Sequence, residues 1–271
     1  MLNANLANHL NDVIAIAKVA GEAIMQVYST DFNVEHKEDK SPLTHADLAA
    51  HNVIVNGLHA LTPNIPVLSE ESAIVAFETR KHWQEYWLID PLDGTREFIK
   101  RNGEFTVNIA LIRQHQPVIG VVYAPVTQLL YFAAQNHGAF KQIDSAPAVP
   151  IQTRILNLNA FVVAGSRSHR DEKMLAFMQN LENKRGVKPE LISMGSSLKI
   201  CLVAEGVADV YPRLGPTSEW DTAAAHCIIK EAGGDIIDVT GASLQYNTKS
   251  SILNPSFFAK SSSEHDWASY L

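Results

Sequence analysis

Asp90 and Asp93 are the residues of this chain whose type and spacing most directly indicate chemistry. Two carboxylates held this close repel one another unless a cation lies between them. Mg²⁺ suits that position because it takes oxygen ligands and shares its remaining sites with water and phosphate. Gly94 lets the backbone approach a ligand closely, and the amides of a helix starting behind it would face an anion. The segment predicts a metal site beside a phosphate site. An acidic turn that only caps a helix is the alternative, because Asp-Gly is a common turn sequence.

Three further acidic positions, Asp47, Glu70 and Asp221, lie at or near the predicted ends of strands and helices. Asp221 follows Ser218 at capping-box spacing, and a charge at a helix N-terminus alone contributes less than about 1 kcal/mol. Helix capping therefore explains any single one of them. Taken together with Asp90 and Asp93, separated carboxylates that converge at element ends suit a phosphoryl-transfer site with several metal ions.

The hydrophobic pattern predicts the elements that must position these acids. Apolar positions at helical spacing predict a helix over residues 5–28, and Thr44 predicts the N-cap of a second helix reaching about residue 61. Short strands are predicted at 65–68 and 87–90, and the segments 105–112, 118–123 and 129–134 are predicted to be successive strands of one sheet. Around residues 143–150 the pattern loosens and two prolines predict a lobe boundary.

The second half of the chain alternates between the two periodicities. Strands are predicted at 161–164, 190–194, 209–211 and 235–239, and helices at 170–183, 196–205 and 220–232. We therefore predict an α/β protein with two lobes, residues 1–150 with most of the acids and 151–271 with Asp221.

The composition restricts the class of protein. The chain has 271 residues, of which 46% are hydrophobic and 19% charged, values typical of a folded enzyme and not of disorder. A net charge of −7 disfavours binding to a nucleic acid polymer. No apolar run approaches the roughly 18 residues that span a bilayer, and the N-terminus does not read as a signal peptide. Cys201 and Cys227 lie in apolar helical patterns, which predicts buried thiols rather than a disulfide or a zinc site.

Four motifs share a family pattern. They are Ser41-Pro42-Leu43-Thr44-His45-Ala46-Asp47, Ser69-Glu70-Glu71, Asp90-Pro91-Leu92-Asp93-Gly94-Thr95 and Trp220-Asp221-Thr222-Ala223-Ala224. Together they resemble the inositol monophosphatase superfamily of Mg²⁺-dependent, lithium-sensitive phosphatases, and the resemblance covers nearly the whole chain in order. Residues 93–108, 195–199, 202–206 and 211–217 resemble more narrowly the bacterial branch of 3′(2′),5′-bisphosphate nucleotidases. Arg96 stands where a lysine is common, which keeps the charge but changes the reach of the side chain.

The resemblance implies an αβαβα layered fold and hydrolysis of adenosine 3′,5′-bisphosphate to AMP and phosphate with two or three Mg²⁺ ions. Dephosphorylation of 3′-phosphoadenylyl sulfate stays open. By motif, the metal ligands are Glu70, Asp90, Asp93, Asp221 and the carbonyl of Leu92. The amides of Gly94 and Thr95 would hold the scissile phosphate, and Asp47 with Thr95, assisted by Glu70, would orient the attacking water. Contacts to the bound substrate are also expected from Glu70, Leu92, Asp93 and Asp221.

Specificity is expected from the second lobe. Gly195, Ser196 and Ser197 are candidates to hold a ribose or a second phosphate, and Lys199 and Arg213 are candidates for the 5′-phosphate. Ser166, with residues 167–169, forms another candidate ligand loop. The alternatives are a serine pair that only caps a helix, an Arg213 that only pairs with a surface carboxylate, and a His169 that is a loop residue without a catalytic role.

Two other functions stay open. One is an inositol, fructose-bisphosphate or other sugar phosphate phosphatase with the same metal ligands. The other is a catalytically silent protein that binds a nucleotide bisphosphate, which the complete set of acids and Thr95 disfavours. The resemblance also implies a link to sulfur metabolism and a cytoplasmic location, with peripheral contact to the inner membrane as a variant. The expected partner is a small nucleotide bisphosphate, and the oligomeric state stays open.

Overall fold

The computed structural model describes residues 2–30, 34–36, 42–73, 75–166 and 172–271. In chain order the elements are α1 (Leu2–Tyr28), β1 (Val34–His36), β2 (Pro42–Thr44), α2 (His45–Leu61), β3 (Val67–Ser69), α3 (Phe77–Arg80), β4 (Glu85–Asp93), α4 (Thr95–Ile99), β5 (Thr106–Arg113), β6 (Gln116–Ala124), β7 (Leu129–Ala134), β8 (Ala139–Ile143), β9 (Val149–Ile151), β10 (Val162–Gly165), α5 (Glu172–Arg185), β11 (Glu190–Ser193), α6 (Leu198–Ala204), β12 (Val210–Arg213), α7 (Glu219–Glu231), β13 (Asp235–Asp238) and β14 (Phe257–Lys260), followed by a 3₁₀ turn at Trp267–Tyr270.

Two sheets organise the chain. The first has seven strands in the order β3-β4-β5-β6-β7-β8-β9, antiparallel except for the parallel pair β3–β4. The second has five strands in the order β11-β10-β12-β14-β13, with parallel pairs around β10 and antiparallel pairs around β14. The β1–β2 pair forms a separate short antiparallel ribbon.

The first sheet is buried on both faces, and the side chains of β4 show it. Trp87 and Ile89 pack with α1 and α2 on one face, whereas Tyr86 and Leu88 pack on the other. This is the alternation expected of a strand, in which successive side chains point to opposite faces.

The remaining layers are defined by the core on the Tyr86 and Leu88 face of the first sheet. The second face of the first sheet packs against α6 and α7, which in turn cover the second sheet. A third cluster joins the outer face of the second sheet to α5 and the C-terminal turn. The layers are therefore α1–α2, first sheet, α6–α7, second sheet and α5, which is the αβαβα arrangement predicted from the sequence.

Gly120 of β6 sets how closely α7 approaches the first sheet. A Cβ at this position would lie 2.1 Å from the carbonyl oxygen of Ala224 and 2.8 Å from Cβ of Cys227. The helix backbone therefore rests directly on the strand. Cys227 and Cys201 are both buried free thiols, as predicted.

The structure differs from the sequence prediction at several elements, among them β8, β9, β14 and α6. The first sheet continues through β8 and β9 to Ile151, across the stretch interpreted as a lobe boundary. Strand β14 was not predicted, because it has only four residues, three of them buried, and follows a segment rich in serine and asparagine. Helix α6 starts at Leu198 and not at Ser196, because Ser196 has φ +45° and cannot continue a right-handed helix.

The predicted division of the chain at residue 150 stays a prediction. Within the described ranges, no helix combines the length and the apolar character needed to cross a bilayer.

Replacing Gly120 with alanine should destabilise the protein by about 3 kcal/mol or more, because the new methyl group meets helix backbone that cannot move aside alone. Gly186→Ala is the control, because no atom lies within 4 Å of the added Cβ. Its left-handed φ of +69° should by itself lower the free energy of unfolding by about 1–2 kcal/mol. Urea unfolding of both variants measures the difference. Equal losses would show that the contact between α7 and β6 is not tight.

Candidate metal centre and substrate pocket

A bulge in β4 turns Asp90 and Asp93 to the same side of the first sheet. Asp90 pairs with Asn108 of β5 and Asp93 pairs with Thr106, so three steps on β4 match two steps on β5. Residues three apart on a regular strand point to opposite faces, and the extra residue of a bulge reverses that parity. Asp90 is 2% exposed, and its Oδ1 accepts a hydrogen bond from the amide of Leu92 at 3.0 Å.

Glu70 and Asp221 reach the same place from other elements. Glu70 directly follows β3, the parallel neighbour of β4, and its amide donates to the carbonyl of Ile89 at 3.2 Å. Asp221 is the third residue of α7, and its Oδ2 accepts from the amide of Ser218 at 2.8 Å in the predicted capping box.

The structure brings these acids together. Glu70, Asp90 and Asp221 each offer one carboxylate oxygen, and the three oxygens lie within 4.8 Å of one another. Asp93 stands next to this group, since its charge raises the pKa of Asp90 and of Asp221. A cluster made only of oxygen donors fits a hard divalent cation such as Mg²⁺.

Burial and mutual repulsion disfavour the charged forms of these carboxylates. Burial, and then the charges of Glu70, Asp93 and Asp221, raise the pKa of Asp90 well above its ordinary value. The pKa of Asp221 is also raised well above normal, by burial first and then by Asp93 and Glu70. Burial raises the pKa of Asp93 to about 6, although Lys199 and two hydrogen bonds oppose the rise. A bound cation would relieve this repulsion.

Asp47 and Thr95 form a second pair beside the acids. Asp47 is 1% exposed, and its Oδ2 accepts from the amide and the hydroxyl of Thr44, both at 2.7 Å, in the predicted cap of α2. Its other oxygen, Oδ1, accepts from the hydroxyl of Thr95 at 3.4 Å. The same hydroxyl lies 3.5 Å from the carbonyl oxygen of Leu92. Thr44 thus holds Asp47, and Asp47 in turn holds the hydroxyl of Thr95.

Gly94 allows the sharp turn between β4 and α4. Its φ is +96°, a left-handed conformation that glycine adopts without cost. Helix α4 begins directly behind it, and the first intrahelical bond runs from the amide of Phe98 to the carbonyl of Gly94. The amides of Gly94 and Thr95 therefore precede the hydrogen-bonded part of the helix.

A cavity of about 120 Å³ adjoins the acids. It is lined by Asp93, Gly94, Glu97, Ser166, Gly195, Ser196, Ser197, Lys199, Ile200, Tyr211, Arg213, Thr217, Asp221, Thr222 and Phe257. Among the described residues, the specificity candidates of the second half therefore line one cavity. Residues 167–169 of the candidate loop, and Ser41 of the first motif, lie outside the described residues.

Lys199 and Arg213 place two cations in this cavity. Lys199 is 7% exposed, its Nζ donates to the carbonyl of Ser196 at 2.6 Å and lies 5.3 Å from the ring centroid of Tyr211. Burial lowers the pKa of Lys199 to about 8, with Asp93 opposing and Arg213 adding to the fall. Arg213 donates through Nη2 to the carbonyl of Pro216 at 2.9 Å. Its Nε is buried and makes no hydrogen bond to the described residues.

Sequence reasoning missed several residues of the site. Tyr211 and Glu97 line the cavity, but an aromatic residue in a strand and an acid in a helix carry no distinctive signal. Asn108 and Thr106 were missed as contacts to Asp93. A signal was present, because the two polar residues alternate with apolar ones in the run from Phe105 to Ile109, and a buried strand is normally apolar throughout.

Comparison with known proteins shows the family of this chain. Residues 6–268 match the inositol monophosphatase family. The 3′(2′),5′-bisphosphate nucleotidase CysQ of Salmonella typhimurium is 52% identical over 250 residues, which is 92% of this chain and 98% of the relative. The protein of the same name from Escherichia coli K12 is 50% identical over the same coverage. The crystal structure of CysQ from Bacteroides thetaiotaomicron, itself described as a member of the inositol monophosphatase family, superposes with a TM-score of 0.83 at 41% identity, covering 95% of this chain and 98% of that one. This chain belongs to the inositol monophosphatase family.

Asp90→Asn should stabilise the metal-free protein at neutral pH. The asparagine keeps an acceptor for the Leu92 amide but removes one charge from the crowded cluster. We expect the melting temperature in EDTA to rise by about 2–4 °C for each kcal/mol of repulsion relieved, while the stabilisation by added Mg²⁺ is lost. Asp238→Asn is the control, because hydrogen bonds lower the pKa of that carboxyl and its replacement should not raise the melting temperature.

The same repulsion predicts a pH dependence. A carboxyl with a raised pKa holds more protons in the folded than in the unfolded state, so stability falls as pH rises between the two values. For Asp93 this range runs from about 4 in the unfolded chain to about 6 in the folded protein. The metal-free protein should thus lose stability from about pH 4 to 6 through this group, and saturating Mg²⁺ should flatten the profile. Melting curves with EDTA or Mg²⁺ test this, and parallel profiles would contradict it.

Proposed function

We propose that this protein is a Mg²⁺-dependent phosphatase that removes the 3′-phosphate of adenosine 3′,5′-bisphosphate, giving AMP and phosphate. The observation that carries the proposal is the convergence of oxygens from Glu70, Asp90 and Asp221 within 4.8 Å beside a cavity that contains Lys199 and Arg213. The names of the relatives, bisphosphate nucleotidases at 50–52% identity, support the choice of substrate.

The cation would be held by the carboxylates of Glu70, Asp90, Asp93 and Asp221 and by the carbonyl of Leu92, with two or three ions in the loaded site. Bound Mg²⁺ supplies positive charge to the phosphate oxygens and lowers the pKa of a water ligand. The donor set of this chain fits that role because it contains only oxygens and carries excess negative charge.

Asp47 and Thr95 would orient the attacking water. The Thr95 hydroxyl donates its hydrogen towards Asp47 Oδ1, so its lone pairs are left to accept a hydrogen bond from a water molecule. Asp47 is fixed by both bonds from Thr44, which keeps the hydroxyl in one orientation. Glu70, at the same edge of the sheet, would assist in accepting the proton. Positioning of this kind is the main requirement of in-line attack at phosphorus.

The scissile phosphate would lie against the amides of Gly94 and Thr95. These amides precede the hydrogen-bonded turn of α4, so they are suited to donate to phosphate oxygens and to the charge that develops on them. The second phosphate would then fall towards Lys199 and Arg213, and the ribose towards Ser196 and Ser197. 3′-Phosphoadenylyl sulfate would place its 5′-phosphosulfate in the same region and is proposed as a further substrate.

A substrate panel tests the proposal. With Mg²⁺, kcat/KM for adenosine 3′,5′-bisphosphate should exceed that for myo-inositol 1-phosphate and fructose 1,6-bisphosphate by about 100-fold or more. Myo-inositol 1-phosphate has no second phosphate for the cationic pair, and fructose 1,6-bisphosphate carries its second phosphate at a different spacing on a different sugar. Li⁺ should inhibit the reaction. Faster turnover of a sugar phosphate would overturn the substrate, and binding without turnover of any compound would indicate a silent binding protein.

Arg213→Ala should reduce recognition of the 5′-phosphate selectively. We expect kcat/KM to fall about 10- to 100-fold for adenosine 3′,5′-bisphosphate, the value of a hydrogen bond to a charged group, and little for adenosine 3′-phosphate, which lacks the 5′-group. Arg113→Ala is the matched control, because Arg113 forms a half-exposed ion pair with Glu85 at the other end of β5. A loss of equal size for both substrates would place Arg213 elsewhere in the mechanism.

A further inference from the structure

We propose that Asn108 is a positioning residue which, with Thr106 and Ser197, holds Asp93 and the loop of residues 195–197 in one fixed arrangement. The proposal rests on the proposed function, since Asp93 is there a metal ligand and the loop lines the substrate cavity. Asn108 and Thr106 belong to β5 of the first sheet, whereas Ser197 precedes α6. The contact therefore joins two parts of the chain that are distant in sequence.

Three polar side chains meet in a closed triangle. The Oδ1 atom of Asn108 accepts from the hydroxyl of Thr106 at 3.0 Å and from the hydroxyl of Ser197 at 2.9 Å. The two hydroxyl oxygens lie 3.0 Å from each other. Asn108 is 1% exposed, Thr106 0% and Ser197 3%. Buried polar groups without partners are costly, so the three side chains satisfy one another and specify a single geometry.

The triangle also fixes the orientation of the Asn108 amide. Because Oδ1 faces two hydroxyl groups, Nδ2 is left to face Asp93, whose Oδ2 it reaches at 3.3 Å. The backbone amide of Ser197 donates to the same oxygen at 2.6 Å. Both bonds end on a carboxylate and are therefore charge-assisted. They occupy Oδ2 and leave Oδ1 of Asp93 to face a cation.

The same contacts hold a strained loop. Ser196 has φ +45°, a conformation that is unfavourable for serine and persists only where its surroundings impose it. Gly195 lies so close to the chain after α4 that a Cβ would stand 2.5 Å from the carbonyl oxygen of Glu104. Ser197 does not cap α6, since its side chain makes no cap hydrogen bond. Its hydroxyl is used instead to dock the loop on Asn108.

One network thus serves both the metal ligand and the specificity loop. Residues that orient a metal ligand through its second oxygen typically change metal affinity or activity by 10- to 100-fold when they are removed. The loss of Asn108 should therefore weaken the affinity for the cation and the affinity for the substrate together, although Asn108 touches neither.

The experiment measures Mg²⁺ binding to substrate-free protein by isothermal titration calorimetry, together with kcat and KM for adenosine 3′,5′-bisphosphate. We expect Asn108→Ala to weaken Mg²⁺ binding about 10-fold or more, to raise the Mg²⁺ concentration that gives half-maximal activity, and to raise KM. High Mg²⁺ should restore much of kcat. Thr106→Val, which removes one hydroxyl at similar volume, should shift the same quantities less. It remains informative if Asn108→Ala does not fold.

Ile109→Val is the control, because Ile109 is the next residue of β5, is 0% exposed and faces the opposite core. It should change thermal stability without changing Mg²⁺ affinity or KM. A double variant tests the network itself. Introducing Ser197→Ala into the Asn108→Ala protein should weaken Mg²⁺ binding less than introducing Ser197→Ala into the unaltered protein, because residues of one network do not contribute additively.

The outcomes separate the two proposals. Unchanged Mg²⁺ affinity in Asn108→Ala and Thr106→Val, with normal binding by the unaltered protein, would overturn only the positioning role. Absence of Mg²⁺ binding by the unaltered protein would overturn the metal-dependent function and this role with it. An equal weakening in Ile109→Val would show that the effect is general destabilisation, which also overturns the positioning role.

Discussion

The repulsion between buried carboxylates is the constraint on which the rest of this structure depends. Asp90, Asp93, Asp221 and Glu70 come from three separate elements, and folding brings their charges into one low-dielectric place. Hydrogen bonds from backbone amides to Asp90, Asp93 and Asp221 offset part of this repulsion. The free energy stored in this repulsion is what a cation gains on binding, so the cost to folding and the affinity for metal have the same origin.

Asp90, Asp93 and Asp221 each accept backbone hydrogen bonds through one carboxylate oxygen. Asp221 uses one oxygen to cap α7, and Asp90 uses one to close the turn at Leu92. Asp47 follows the same rule, with one oxygen on Thr44 and the other towards Thr95. Under the proposed function, the same capping hydrogen bonds also preorganise the carboxylates for catalysis at phosphorus.

The sequence predicts the fold and most of the site because both depend on local patterns. Hydrophobic alternation locates the strands, and capping-box spacing places Asp47 and Asp221 at helix starts. Two features could not be predicted in this way. The bulge that turns Asp90 and Asp93 to one side depends on pairing with β5, and the contact of Asn108 with Ser197 depends on a loop 89 residues away in sequence. Strand β14 was also not predicted, because it forms by pairing with its neighbours β12 and β13 and its own four residues give no clear signal.

The close contact of α7 with Gly120 restricts how ligands can enter and leave the site. At Gly120 the backbone of α7, the helix that carries Asp221, contacts the strand backbone directly. No side chains lie between them at this point that could let the helix slide over the first sheet. A hinge that swung the two sheets apart would first have to break this contact and uncover the largest apolar core of the molecule. We therefore expect substrate and product to pass through the mouth of the proposed cavity while the first sheet and α7 keep their relative positions.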